Sequence, residues 1–139
     1  MAEPRRPQIA TDTVCRIVVR ARQFDVKEGA VSPDDGSNGI DEGFRDVLED
    51  TPDDPVFEEA KAFINDLDID EQCELVALMW IGRGDFDPSE FANAVAVARD
   101  EHTDRTAEYL LRTPLLGDLL TEGMANYDMT CEDFEREHL

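Results

Sequence analysis

The chain has 139 residues, 41% of them hydrophobic and 34% charged, with a formal net charge of −21 at pH 7. That length suits one domain with a self-sufficient core, burying roughly 68% of the unfolded surface, and the apolar content puts the chain on the globular side despite its charge. The excess of acid excludes proteins that grip phosphate backbones through a basic stripe. No apolar run approaches the roughly 18 residues of a membrane span, and no signal-peptide core follows Arg5 and Arg6, so the expected location is cytoplasmic.

Residues 1–10 read as a flexible arm. The first helix is expected over 12–27, with Val14, Ile17, Val18, Ala21 and Phe24 at spacings of three and four along one face and Arg16 and Arg20 on another. Residues 1–27 hold six basic side chains against three acidic ones, while the remainder is strongly acidic. This helix is therefore the natural electrostatic partner of the body, within one chain or across a dimer. The stretch GAVSPDDGSNGI, 29–40, has the composition of a mobile loop, and a short helix is expected over 41–48.

Asp54 and Pro55 sign the start of a further helix with Val56, Ala60, Phe63, Ile64 and Leu67 turned inward. Another begins near Asp68 or Asp70, with Glu71 and Glu74 in its first turn where the dipole favours acid. From Leu75 to Ile81 it is apolar all round, the mark of a central buried helix, and the N–H of Trp80 needs an acceptor there. Asp87, Pro88 and Glu90 spell a capping box, with Phe86 and Phe91 as its hydrophobic staple. Helices follow over about 104–112 and from the Thr113-Pro114 pair, the latter with Leu116, Leu119 and Leu120 inward. Thr130, flanked by Met129 and Phe134, caps a last one.

No segment alternates like a strand, and no repeat is visible. The expected fold is all-α: a single compact domain over 11–136, about seven to eight short helices packed around a central apolar helix (about 70–82), with 137–139 as a frayed tail.

Chemistry-bearing patterns are sparse. Cys15, Cys73 and Cys131 lie far apart without a CxxC pair, which fits reduced thiols, with Cys15 and Cys73 as buried small hydrophobes. Placing Gly84 at the sixth position of a calcium loop puts Met79, Ile81 and Arg83 where ligands are required, and a loop from Asp34 with Gly39 sixth lacks its closing glutamate. The acid clusters at Asp34, Asp35, Asp41 and Glu42, and at Asp50, Asp53 and Asp54, read as solvated loop acid. His102 suits a helix C-terminus and His138 lies in the tail. No nucleophile elbow or phosphate loop is present. No catalytic residue, metal ligand or cofactor is assigned. The polar residues left to watch are Arg83 and Asp85, between a helix end with two glycines and a stapled helix start.

Three blocks, VCRIVVRARQFD (14–25), LVALMWIGRGDF (75–86) and YLLRTPLLGDLL (109–120), resemble an uncharacterised bacterial family catalogued as domain of unknown function 3775. The Gly84-Asp85-Phe86 triplet is the most characteristic piece. The resemblance implies a small helical bacterial protein and brings no activity, cofactor or catalytic residue with it.

The functional expectation is a non-catalytic protein–protein interaction module, its partner another protein or itself as a homodimer, with Arg16 and Arg20 as contacts and neither nucleic acid nor membrane involved. The alternative is a small enzyme or small-ligand-binding protein using Arg83 and Asp85, with His102 nearby.

Overall fold

The computed structural model describes residues 5–29, 55–132 and Phe134. The loop expected at 29–40, beyond Gly29, and the helix expected at 41–48 lie outside the described residues. What is described is all-α: α1 (Thr11–Gly29), α2 (Pro55–Asp66), α3 (Ile69–Arg83), α4 (Phe91–Glu101), α5 (Thr106–Arg112) and α6 (Leu116–Ala125), with a single 3-10 turn, Pro88–Glu90, leading into α4. Six α-helices are thus seen among the described residues, fewer than the seven to eight expected.

The central helix forms where the apolar run demands it. Asp68 caps α3 by accepting from the Glu71 N–H at 2.8 Å, and the Glu71 carboxylate reaches back to the Asp68 N–H at 3.2 Å. Every side chain from Gln72 to Ile81 is buried, which is what a helix without a polar face requires. It packs chiefly between α6 and α4, while α1 closes the other side against α6 and α2.

Glycine sets how closely α3 and α6 approach. A Cβ on Gly82 would stand 1.9 Å from the Leu119 carbonyl oxygen, and one on Gly123 would stand 2.2 Å from that of Leu78. The two helices therefore cross backbone to backbone, and Gly82 is a packing residue rather than part of a ligand loop. Gly84 has the other role, at φ 94°, the left-handed conformation that ends helices. Its N–H bonds the Ile81 carbonyl at 3.1 Å while that of Asp85 bonds the Trp80 carbonyl at 2.9 Å, which together form a Schellman closure.

The neighbouring helices refine the expected faces. Val14, Ile17, Val18 and Ala21 of α1 are buried as expected. On α2 the buried positions are Phe57, Ala60 and Ile64, with Phe63, and Leu67 just past its end, only partly covered. Asp87 does cap the next element with Glu90, but its first turn is 3-10 before α4 begins at Phe91. The expected staple pair finds other ring partners: Phe86 stacks on Trp80, and Phe91 meets Tyr127 edge-on, each at 5.6 Å between centroids. Thr113 closes α5, its hydroxyl donating to the Tyr109 carbonyl at 2.8 Å. The residue before α6 is not Pro114 but Leu115, in a left-handed conformation at φ 60°.

Two long-range ties run against the sequence reading. Cys15 and Cys131, expected as reduced thiols, are joined as a disulfide with Cα atoms 5.6 Å apart, and only Cys73 is free. Their separation of 116 residues hid the pair. The fold brings α1 beside the segment after α6, where Tyr127, Cys131 and Phe134 are all buried.

The second tie is Glu74, which is buried. Its Oε1 accepts from the N–H groups of Gln8 and Ile9, and its Oε2 accepts from Arg5 Nη2, all at 2.8 Å. Residues 5–10, read as part of an arm, are held by this carboxylate and by Ile9, which is itself buried.

Candidate functional site

The expected partner and ligand residues fall into two separate places. Arg16 and Arg20 line a shallow groove with Glu59 and Phe134. Arg20 is already spent within the chain, its Nε donating to Glu59 Oε1 at 2.7 Å and its guanidinium lying over the Phe63 ring. Arg16 lies over the Phe134 ring and makes no ion pair with a described residue. Together with Arg5 on Glu74 and Arg22 near Asp118 at 3.4 Å, the basic start of the chain neutralises acid of its own body.

Arg83 and Asp85 do meet. The Asp85 carboxylate accepts from Arg83 Nε at 2.7 Å across the Schellman turn, and both side chains are a little under half exposed. That carboxylate, and behind it the Tyr109 hydroxyl, hold the guanidinium firmly charged. An exposed pair of this kind contributes little to stability.

Tyr109 links this joint to a cavity of about 140 Å³ enclosed by α3, α4 and α5. Cys73 and Trp80 of α3, Ala98 and Glu101 of α4, and His102 in the following connection form its walls with Tyr109 of α5. Its size resembles that of engineered protein cavities that admit a benzene-sized molecule. The placement follows from local structure. Cys73 and Trp80 are seven residues apart and so share one face of α3, while the break after Glu101 turns His102 back over that face.

The hydrogen bonds around the cavity leave little to chance. Trp80 Nε1 donates to the Tyr109 hydroxyl at 3.0 Å, which supplies the acceptor the buried indole requires. Gln72 donates its Nε2 to the carbonyls of Ile64 and Leu67, at 3.0 and 3.1 Å. Its amide is thereby oriented, with Oε1 turned to His102 Nε2 at 2.7 Å. His102 must donate in that contact, since Gln72 has only an acceptor there; in its neutral form the imidazole then keeps its lone pair on Nδ1. Cys73 is buried, and burial pushes its thiol above the usual range, which favours the protonated, unreactive form. A second, open groove shares His102 and Thr103 with the cavity and is lined by Asp68, Asp70 and Asp104. Arg99 pairs with Asp70 there and lowers its carboxyl pKa.

Among the described residues no group of three or more His, Cys, Asp or Glu side chains converges as metal ligands, and no helix is long and apolar enough to cross a membrane.

The model of a family described as a protein of unknown function (DUF3775) matches residues 57–129. The chain belongs to this family. The family region takes in all the residues that wall the cavity as well as the Arg83/Asp85 joint. It contains two of the blocks that carried the resemblance, 75–86 and 109–120; the block at 14–25 lies outside it. No curated protein and no solved structure matches the chain.

Sequence reasoning reached Arg83, Asp85 and His102 but not the cavity they adjoin. The available signal was the N–H of Trp80: a buried indole needs an acceptor, and Tyr109, a phenol at the head of the leucine-rich block 109–120, was a candidate. Gln72 gave a second signal, a long amide at the start of a buried helix, where it has to be satisfied by something polar.

Proposed function

We propose that this protein binds a small organic ligand in the cavity between α3, α4 and α5 and carries out no chemistry on it. The observation that carries this reading is the convergence of aromatic walls, a fixed imidazole and a carboxylate in one partly enclosed space, the usual makeup of a small-molecule site. A binding role suits these groups better than catalysis. Cys73 is held as a thiol, and His102 is oriented by a neutral amide rather than by a carboxylate that would strengthen it as a base. The Arg83/Asp85 pair braces the Tyr109 wall from outside.

Trp80 is the sole tryptophan and lines the cavity, so its fluorescence reports occupancy of this site specifically. A panel of small metabolites should contain compounds that change the Trp80 emission saturably and raise the melting temperature. Ala98→Leu, which fills the cavity from a buried position, should abolish both effects while the circular dichroism stays helical. A panel that leaves emission and melting unchanged, or ligands that bind Ala98→Leu as well as the natural protein, would overturn the reading.

Self-association, the other reading, draws on Arg16, the basic side chain on the α1 face that has no ion-pair partner among the described residues. Sedimentation of the same samples separates the two, because a cavity binder has no need of a partner copy.

A further inference from the structure

Most polar groups around the cavity are already spent within the protein. The Thr106 hydroxyl donates to the Thr103 carbonyl at 2.9 Å and accepts from the Thr103 N–H at 3.2 Å. The Thr103 hydroxyl accepts from the Arg105 N–H at 3.0 Å, and the Trp80 N–H goes to Tyr109. One face of the Trp80 ring is covered by Phe86, so what the indole still offers is its other π face.

Beside the Tyr109 O–H, whose oxygen accepts from Trp80, and the weak Cys73 S–H, the unspent groups are acceptors. Gln72 takes the His102 Nε2–H, which in the neutral imidazole leaves the lone pair on Nδ1. Glu101 makes no ion pair with a described residue, and neither lysine nor arginine lines the cavity. The adjoining groove brings Asp68, Asp70 and Asp104 towards its edge, with Arg99 on Asp70 as the cation there and Arg83, beyond Tyr109, neutralised by Asp85. An approach walled by carboxylates concentrates cations and repels anions.

We propose that the cavity takes a small organic ammonium ion, whose charge is met by the Glu101 carboxylate and the π faces of Trp80 and Tyr109, and whose N–H donors are met by Glu101 and His102 Nδ1. This rests on the binding reading above and adds the class of ligand. The alkyl part of such an ion sits against Val76 and Ala98.

Three probes of matched shape test the charge: n-butylamine, n-butanol and butyrate, titrated at neutral pH into the full chain while Trp80 emission is followed. The amine should bind about tenfold more tightly than the alcohol, a margin in the range of partly desolvated cation–π and ion-pair contacts, and butyrate least of all. Glu101 is exposed at the end of α4, so Glu101→Gln should keep the fold while bringing the amine down towards the alcohol. Equal binding of amine and alcohol, or tightest binding of butyrate, overturns the ammonium assignment and leaves the cavity a binding site. Silence from all three overturns the assignment too, and the cavity reading falls with it only if the wider metabolite panel is also silent.

Discussion

Glu74 shows how much one side chain decides in this molecule. It is 2% exposed, and its two oxygens satisfy two backbone N–H groups and a guanidinium, so its burial is compensated rather than merely tolerated. In the sequence it reads as one more acid near a helix start, but α3 begins at Ile69 with Asp70 and Glu71 in its first turn, so Glu74 lies beyond the reach of the dipole. Glu74→Ala strands two N–H groups and Arg5 together and is expected to cost roughly 2–4 kcal/mol. Glu74→Gln keeps one acceptor for the backbone groups and should cost clearly less. Urea denaturation of the two variants checks the order; equal losses would mean that the carboxylate acts through its charge on Arg5 and not through the chain start it holds. Asp85 is the contrast. Its carboxylate is spent on Arg83 in an exposed pair, and its backbone N–H, not its side chain, is what closes the helix.

At the level of the element, the crossing of α3 and α6 is the joint on which the fold is most exacting. A methyl on Gly82 or Gly123 meets a carbonyl oxygen well inside contact distance, and that oxygen belongs to a helix backbone that cannot turn aside. Gly82→Ala is accordingly expected to lose about 3 kcal/mol, the upper part of the overpacking range, although alanine favours helix formation by itself. A thermal melt reads this directly, and an unchanged or raised melting temperature would show that the helices can separate without loss. The family block 75–86 thus combines two glycines with unrelated duties: one permits close packing and the other supplies a left-handed helix end. Leu115 reaches a similar left-handed conformation without glycine and is 58% exposed, so strain and exposure coincide at the start of α6.

Over the whole molecule, the ends of the described chain are tied to the centre. The Cys15–Cys131 bond joins α1 to the segment after α6, next to Phe134 beneath Arg16, while Tyr127 donates its hydroxyl to the Pro88 carbonyl at 2.6 Å. Closing so long a loop restricts the unfolded chain, and opening the bond by reduction or by Cys131→Ser is expected to cost about 2–4 kcal/mol. Unfolded without reductant the protein should present one reactive thiol per chain, Cys73, and all three of its cysteines after reduction. Three thiols before reduction in freshly purified protein would mean that the pair lies within reach but is not bonded. Disulfides persist chiefly in oxidising compartments, so the same count made on protein taken directly from cells also bears on where it works.

The sequence by itself determined the helical class, the central helix and most of the caps, because these depend on short-range rules. An uninterrupted apolar run has to be buried, and Asp68 with Glu71 or Asp87 with Glu90 satisfies helix ends within a few residues of itself. It also brought Arg83 and Asp85 together, since two residues of one turn need no fold to meet. Only the tertiary structure decided the rest: Cys15 with Cys131, Arg5 and the Gln8 and Ile9 N–H groups with Glu74, Gln72 with His102, and Trp80 with Tyr109. Each of those pairs spans at least 29 residues, so no periodicity connects its members. The candidate site lies among them, because a cavity belongs to the space between helices, and that space is set by how closely Gly82 and Gly123 let their backbones approach and where each connection turns.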